Sequence, residues 1–240
     1  MRPAIDLLAR VSQAEPRVVY DLGCGTGNVT RLLRERWPAA RLTGVDNSAA
    51  MLAQAERELP QVHWVRHSLE DWQADESADV IFSNAALQWL PRHETLLPAL
   101  LRSLAPQGVL AVQMPRNFSA PSHTLIAETA RAGPWRAKLE DLLIAAPVAA
   151  PEFYYSLLAP CAHRIDIWET EYLQVLNGED PVKEWTKGTW LTQFLARLDA
   201  PEASAFEEDY ARRLRAVYVR RADGSTLFPF RRLFIVLSKA

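Results

Sequence analysis

The fold is decided by the stretch RVVYDLGCGTGN (17–28). Its first part, RVVYDLG (17–23), is β-branched and aromatic and ends at a glycine, which is typical of a buried strand. Residues 28–37 have helical character, and Pro38 ends them because a residue before proline avoids the α conformation. The glycines therefore form a tight turn between a strand and a helix.

The same alternation of short apolar strands and amphipathic helices continues along the chain. Further strands are predicted at 41–46, 62–67, 78–84, 108–115, 163–175 and 231–239, and helices at 2–12, 49–59, 93–104, 121–146, 152–159, 181–198 and 202–220. Strands that alternate with helices require parallel pairing and right-handed crossovers. We therefore predict an α/β fold with a doubly wound, mostly parallel seven-stranded sheet of Rossmann-like type.

One domain, 1–240, accounts for the length of the chain. Residues 1–118 form its predicted cofactor-binding half and residues 119–240 its substrate half. The segment 177–227 separates the last two strands and is too long for a plain turn. We predict that it forms a helical cap over the carboxyl edge of the sheet.

The composition excludes several classes of protein. The 240 residues include 27 Lys and Arg against 29 Asp and Glu, a balance that argues against a nucleic-acid partner. No stretch approaches the roughly 18 apolar residues of a membrane span, and residues 1–16 do not resemble a signal peptide. Two cysteines and five scattered histidines, of which only His63 and His67 have HxxxH spacing and lie on a predicted strand rather than a helix, predict neither a disulfide framework nor a metal site. We expect a cytoplasmic protein in a reducing compartment.

The acidic residues around the turn indicate its ligand. The spacing of Gly23, Gly25 and Gly27 is GxGxG rather than the GxGxxG of dinucleotide enzymes. Asp21 would repel a diphosphate but suits a cationic ammonium group, and Asp46 can accept both hydroxyls of a ribose. Together they predict S-adenosylmethionine, with S-adenosylhomocysteine as product. A dinucleotide site and a turn with incidental glycines are the alternatives.

The predicted pocket is completed by residues at the carboxyl ends of the next strands, where such sheets bind ligands. Met51 is expected against the adenine, with a place in the core as the alternative. Cys24 is expected to be a small turn residue, since the sequence places no His or Asn beside it to activate a nucleophile. The predicted cofactor-binding residues are Asp21, Gly23, Cys24, Gly25, Gly27, Asp46, Asn47, Met51, Ser68, Leu69, Asn84 and Ala85.

Longer segments carry a resemblance to a known family. They are ERWPAARLTGVDNSAAML (35–52), SNAALQWLP (83–91) and PQGVLAVQMP (106–115), and more loosely YYSLL (154–158), IDIWETEY (165–172), EWTKGT (184–189) and RLFIV (232–236). Residues 17–115 resemble class I S-adenosylmethionine-dependent methyltransferases, and the finer detail resembles the trans-aconitate 2-methyltransferases. The resemblance implies carboxyl O-methylation of a small polycarboxylic acid, with trans-aconitate as the expected substrate, to give a monomethyl ester.

Arg232 is the leading candidate for binding the spare carboxylates of such an acid. A charge is unusual beside an apolar strand, Arg232 matches the family pattern, and a guanidinium binds carboxylates bidentately. The alternative is a strand-end arginine that reaches solvent. No catalytic residue is predicted, because a carboxylate is already ionised at neutral pH. The further substrate-binding candidates are Gln88, Trp89, Tyr154, Trp168 and Lys187.

Three departures from the family pattern accompany the resemblance. Ser68 stands where an acidic residue usually meets the adenine, and Leu191-Thr192-Gln193 stands where relatives have Leu-Arg-Pro. Met1 abuts the first helix where relatives have an aromatic-containing stretch, so we expect a more open cofactor site or a start internal to a longer chain. A methyltransferase for another small acid or metabolite and a non-catalytic S-adenosylmethionine-binding module are the alternative functions; the oligomeric state stays open.

Overall fold

Seven strands and ten α-helices make up the chain, of which this computed structural model describes residues 1–240. The strands are β1 (Val18–Leu22), β2 (Arg41–Asp46), β3 (His63–Arg66), β4 (Ala78–Asn84), β5 (Leu104–Pro115), β6 (Ala162–Leu176) and β7 (Thr226–Lys239). The helices are α1 (Arg2–Leu8), α2 (Asn28–Arg36), α3 (Ala49–Glu58), α4 (His93–Arg102), α5 (Pro121–Ala132), α6 (Arg136–Leu139), α7 (Pro151–Leu158), α8 (Pro181–Lys187), α9 (Thr192–Leu195) and α10 (Ala200–Val217). Short 3-10 helices lie at Leu87–Trp89, Glu140–Leu142 and Ala159–Cys161.

The strands form one sheet in the order β3-β2-β1-β4-β5-β7-β6. β1 pairs in parallel with β2 and β4, β3 and β5 extend the sheet in parallel, and β7 runs antiparallel to β5. All five residues of β1 are buried, as the apolar run predicts. The chain order reverses between β1 and β4, which places a ligand crevice beyond the carboxyl end of β1. The predicted doubly wound, mostly parallel seven-stranded sheet is confirmed.

The chain divides into two compact units, and the first contains residues 1–115, 147–170 and 232–240. In this unit the antiparallel register of β5 and β7 pairs Gln113 with Phe234 and Pro115 with Arg232. The carboxyl end of β5 and the middle of β7 therefore meet at one edge of the sheet. The functional halves predicted from the sequence stay a prediction; the compact units follow other boundaries because two later segments rejoin the first unit.

The second unit contains residues 116–146 and 171–231. Its core is built on α5 and α10, and the buried Tyr210 hydroxyl donates to the Ser122 carbonyl at 2.6 Å. Aromatic and aliphatic side chains fill this core, namely Ile126, Ala130, Trp135, Leu139, Val182, Leu191, Phe194, Phe206, Tyr210, Leu214, Phe228 and Phe230. None of the ten helices of the chain is both long enough and apolar enough to cross a bilayer.

Several predicted elements have different bounds in the structure, and the helix predicted at 181–198 is divided into α8 and α9. The helix predicted at 121–146 ends at Ala132, because Gly133 is extended and Pro134 follows it. The last strand was expected from residue 231 but begins at Thr226, because the preceding turn closes early with the Arg221 backbone N–H donating to the Ser225 carbonyl at 2.8 Å. The longer β7 carries the chain from the second unit back into the first.

The amino-terminal end of α10 is stabilised by a capping box. The Asp199 carboxylate accepts the Glu202 backbone N–H at 2.9 Å, and the Glu202 carboxylate accepts the Asp199 backbone N–H at 3.2 Å. We expect Asp199→Ala to lower the free energy of unfolding by about 1 kcal/mol, as measured by urea denaturation. Ser204→Ala, at an exposed position inside the same helix, is the control and should cost nothing. Equal losses in both variants would contradict a capping role.

Candidate functional site

The glycine turn after β1 closes on its neighbours more tightly than any side chain would permit. Gly23, Gly25 and Gly27 have φ angles of 72°, 55° and 81°, in the left-handed region that favours glycine. A Cβ added to Gly23 would lie 2.1 Å from the Cβ of Ala86. The turn is pinned to β2, because the Gly23 backbone N–H donates to the Val45 carbonyl at 2.8 Å. The backbone of the turn therefore stands at the carboxyl end of the sheet with little freedom.

Asp46 ties this turn to the end of β2. Its Oδ2 accepts the Gly25 backbone N–H at 2.9 Å, and its Oδ1 accepts the Ser48 backbone N–H at 2.9 Å. Each carboxylate oxygen has a further acceptor position. The carboxylate is thus held in place while both oxygens retain the capacity to accept the hydroxyls of a vicinal diol.

Asp21 is a buried carboxylate directly ahead of the turn. It lies on β1 with almost no exposed surface, and the Thr30 hydroxyl donates to its Oδ2 at 2.6 Å. Burial raises the pKa of Asp21 to about 7; the Thr30 bond opposes this shift and the charge of Asp46 adds to it. A cation bound near the turn would favour the ionised form of this group.

Cys24 has the environment of a packing residue. It is buried, and its Sγ lies 3.1 Å from the position that a Cβ on Gly44 would take. Burial, assisted by the charges of Asp21 and Asp46, raises the pKa of the Cys24 thiol. A thiol that resists ionisation is a poor nucleophile, so the geometry favours the small-residue interpretation.

The residues predicted for the adenine follow β2 and β3 and lie beside the turn. Met51 is 47% exposed, which rules out the core alternative, and its Sδ lies 3.7 Å from the position of a Cβ on Gly25. Leu69 is buried, with its Cδ1 3.7 Å from the position of a Cβ on Gly23. Two polar residues of the same group are exposed, namely Asn47 and Ser68.

The end of β4 is held in an unusual backbone conformation. Ala85 has a φ of 56°, which is uncommon for a residue with a Cβ, and strain of this kind is frequent at functional sites. Its backbone N–H donates to the Gln113 carbonyl at 2.9 Å, and its carbonyl accepts from Gln88 Nε2 at 2.7 Å. Beside it, Asn84 Oδ1 is buried without a hydrogen-bond partner. The predicted residues Asn84, Ala85 and Gln88 are therefore brought together.

The 3-10 helix at Leu87–Trp89 is braced by a buried histidine. His93 Nε2 lies 2.9 Å from the Leu87 carbonyl, which can only accept, so Nε2 carries the proton. His93 Nδ1 lies 2.8 Å from the Tyr154 hydroxyl oxygen, and that oxygen accepts the Ala149 backbone N–H at 3.1 Å. These contacts support the turn that carries Trp89, whose own side chain is 52% exposed.

Tyr154 is fully buried, and its hydroxyl is engaged by His93 and Ala149. These contacts give Tyr154 a supporting position in the first unit. Its predicted contact with the substrate stays a prediction that no contact within the structure supports.

Arg232 meets the end of β5. One guanidinium nitrogen donates to Gln113 Oε1 at 3.3 Å, and the side chain is half-buried rather than extended into solvent. This position favours the binding interpretation over the solvent-reaching one. The role of Arg232 toward a substrate stays a proposal.

The two remaining substrate candidates have other partners. Trp168 stacks on Phe234 with ring centroids 4.8 Å apart, and the guanidinium of Arg10 lies 5.3 Å from the Trp168 centroid. Lys187 belongs to the second unit, where its Nζ lies 2.8 Å from Glu207 Oε2. These contacts do not decide whether Trp168 or Lys187 touches the substrate, so both roles stay predictions.

Sequence reasoning missed Gln113 and His93. Gln113 is fully buried in β5, and its Nε2 has no hydrogen-bond partner. The available signal was a glutamine inside the apolar run LAVQMP, because a buried polar side chain in a strand requires a partner. His93 gave no such signal, since its partner Tyr154 is 61 residues away in the sequence.

The residues present fit S-adenosylmethionine. Its ribose requires a fixed acceptor, which Asp46 supplies, and its ammonium group requires acceptors or a carboxylate near the turn. Asn84 Oδ1, buried without a partner, and the buried carboxylate of Asp21 are groups of that kind. At Gly25 the nearest atom to the position of a Cβ is Met51 Sδ at 3.7 Å, so the missing side chain leaves space beside the turn.

A Rossmann-like sheet with an antiparallel β7, a GxGxG turn and a carboxylate at the end of β2 defines a class I S-adenosylmethionine-dependent methyltransferase. A family model described as a methyltransferase domain matches residues 19–108. The chain is 50% identical to the trans-aconitate 2-methyltransferase of Azoarcus sp. (strain BH72), with 98% of this chain and 92% of that one covered, and 43% identical to that of Yersinia pestis (strain Pestoides F), with 98% and 92% covered. The chain belongs to the trans-aconitate 2-methyltransferase family.

Solved structures show the same fold at low sequence identity. The YcgJ protein from Bacillus subtilis matches with a TM-score of 0.61 at 14% identity, covering 100% of this chain and 99% of that one. Haemonchus contortus phosphoethanolamine N-methyltransferase 2, in complex with S-adenosyl-L-methionine, matches with a TM-score of 0.58 at 16% identity, covering 100% and 53%. The predicted fold class, enzyme class and cofactor are confirmed, while the roles of individual residues stay predictions.

Burial of Asp21 makes stability depend on pH. Between the ordinary aspartate pKa near 4 and the native value of about 7, the folded chain binds a proton that the unfolded chain has lost. The free energy of unfolding should therefore fall as the pH rises through this window. From pH 5.5 to 8 the Asp21 contribution amounts to roughly 2 kcal/mol.

Asp21→Asn should remove the Asp21 contribution to this pH dependence, because an amide does not ionise. Urea denaturation at several pH values measures the free energy of unfolding. Thr30→Val is the matched variant. It deletes the hydroxyl that favours the ionised form of Asp21, so the decrease in the free energy of unfolding should occur at higher pH. The same pH dependence in Asp21→Asn and in the unaltered chain would show that another group is responsible.

Proposed function

We propose that this chain transfers the methyl group of S-adenosylmethionine to one carboxylate of trans-aconitate, forming a monomethyl ester and S-adenosylhomocysteine. The observation that carries this proposal is the 50% identity to a trans-aconitate 2-methyltransferase over 98% of the chain. The position of Arg232 at the edge of the sheet supports a polyanionic substrate.

Methyl transfer to a carboxylate requires that the two reactants be positioned, and it requires no proton transfer. The cofactor supplies a methyl group on a sulfonium, and the sulfur keeps the bonding electron pair when a carboxylate oxygen takes that methyl. A carboxylate with a pKa near 4 is fully ionised at neutral pH, so no general base is needed. Holding the oxygen in line with the methyl group is the main contribution that the protein can make.

In this proposal the carboxyl ends of β1 and β2 hold the cofactor. Asp46 accepts the ribose hydroxyls from the position that Gly25 and Ser48 fix for it. Asp21 favours the cationic end, since an ammonium group nearby stabilises its carboxylate. The glycine turn lets the backbone approach the cofactor closely.

Arg232 is proposed to hold a carboxylate that is not methylated. A guanidinium presents a planar fork of donors that matches a carboxylate, and a partly buried pair is screened less than one in water. The half-buried position of Arg232 at the end of β5 meets this requirement.

A labelled-methyl assay tests the proposal. Purified chain is incubated with S-adenosylmethionine carrying a labelled methyl group and a panel of di- and tricarboxylic acids, amines and phenols. We expect trans-aconitate to be the preferred acceptor, with one base-labile methyl ester formed per transfer.

Other results separate the alternatives. Transfer only to another acid would identify a relative with a different substrate, and transfer only to amines or phenols would reject carboxyl methylation. Cofactor binding in isothermal titration without transfer to any acceptor would identify a binding module.

The proposed role of Asp46 yields a quantitative prediction. Asp46→Ala removes the acceptor of two backbone N–H groups and of the ribose, so we expect cofactor affinity to weaken by about 1–3 kcal/mol in isothermal titration. Asp46→Asn keeps one oxygen acceptor and should lose less. The control is Asp71→Ala, at an exposed position after β3, which should bind the cofactor normally. Unchanged affinity in Asp46→Ala would place the ribose elsewhere.

A further inference from the structure

Three buried amide atoms at the ends of β4 and β5 have no hydrogen-bond partner. They are the Nε2 atom of Gln113 and the oxygens of two neighbours, Asn84 Oδ1 and Gln88 Oε1. Buried polar groups in folded proteins are nearly always paired, and each exception requires an explanation. The fully buried Gln113 is the unexplained donor of the three.

Gln113 occupies a position where an apolar side chain would be expected. It lies in the buried run of β5, opposite Asn84 on one side and Phe234 on the other. Residues directly opposite one another project from the same face of a sheet. Gln113 and Arg232 also lie on one face, two register positions apart, and their side chains meet at 3.3 Å.

The hydrogen bond to Arg232 sets the orientation of the Gln113 amide. A guanidinium has donors and no acceptor, so the amide oxygen must face it. The Gln113 Oε1 atom accepts from Arg232, and the amide nitrogen is therefore turned away from the arginine. Rotating the amide would set two donors against each other, which excludes the opposite assignment.

The orientation of the Gln88 amide is also fixed, but there the nitrogen has a partner and the oxygen has none. Its Nε2 donates to the Ala85 carbonyl at 2.7 Å, and so its unpartnered atom is an acceptor. Gln113 is the one of these three side chains whose unpartnered atom is a donor. A donor next to a guanidinium suits an anion, because both groups present positive hydrogens.

We propose that Gln113 determines specificity for the acid: its Oε1 holds Arg232 in place and its Nε2 donates to a substrate carboxylate that is not methylated. This inference rests on the proposed function and deepens it. It restricts the substrate to acids with at least one carboxylate beyond the one that receives the methyl group. The buried donor then finds its partner only when such an acid is bound.

Gln113→Glu is the discriminating variant. The glutamate keeps an oxygen acceptor for Arg232 but replaces the Nε2 donor with a second oxygen that repels a carboxylate. We expect the KM for trans-aconitate to rise about 10- to 100-fold, the effect of losing a hydrogen bond to a charged group, with little change in kcat or in the KM for S-adenosylmethionine.

The preference between two substrates distinguishes a binding role of Gln113 from a merely structural one, since a structural role would leave that preference unchanged. Trans-aconitate is compared with its analogues in which one carboxylate is a carboxamide. The unaltered chain should prefer the acid, whereas Gln113→Glu should prefer the amide whose NH2 group faces the new carboxylate. Gln113→Met, neutral and of similar length, should lower the preference for the acid without reversing it, and it serves if the glutamate variant does not fold.

The control is Met114→Leu, at the next position of β5, where the side chain is also fully buried and projects from the opposite face. It should retain the kinetic constants and the preference of the unaltered chain, which excludes a general disturbance of β5.

Two outcomes would overturn the inference while leaving the proposed function intact. One is methylation of trans-aconitate by Gln113→Glu with an unchanged KM and unchanged preference. The other is an equal loss toward acid and amide accompanied by a raised KM for the cofactor, which would mark Gln113 as structural. If the unaltered chain methylates no carboxylate, the proposed function fails first and this inference falls with it.

Discussion

The site depends on one carboxylate that holds two backbone segments together. Asp46 accepts the N–H groups of Gly25 and Ser48, so it joins the glycine turn after β1 to the start of the helix after β2. Charge-assisted hydrogen bonds to backbone N–H groups are among the stronger ones in proteins. Because the same carboxylate is proposed to meet the ribose, the cofactor pocket is organised before a ligand arrives, and less conformational freedom has to be lost on binding.

A second constraint acts where β4, β5 and β7 come together. The strained Ala85 is held by the carbonyl of Gln113, while the side chain of Gln113 holds Arg232. One residue thus connects the end of β4, beside the cofactor turn, to the residue proposed to bind the acid. The antiparallel pairing of β7 makes this possible, since it returns a late part of the chain to the edge where the parallel strands end.

Whether the sequence could predict the surroundings of a residue depends on how far away in the sequence its neighbours in space lie. The positions of Asp46 and the glycines at the ends of β2 and β1 were predictable, because strand, turn and next strand follow one another within 30 residues. Tyr154 and Trp168 were predicted from their place in family-like segments, yet their contacts are with His93 and Phe234, 61 and 66 residues away in the sequence. Gln113 was visible as a glutamine in an apolar run, but its partner lies 119 residues further along.

The sequence alone determined the sheet, the turn and the chemical class, because the period of apolar residues and the glycine spacing act locally. The tertiary structure decided which side chains share a site. Register between β5 and β7 brings Arg232 to Gln113, and burial changes the ionisation of Asp21. Both effects depend on what surrounds a group in space, and a pattern read along one chain contains that information only where neighbours in space are also neighbours in sequence.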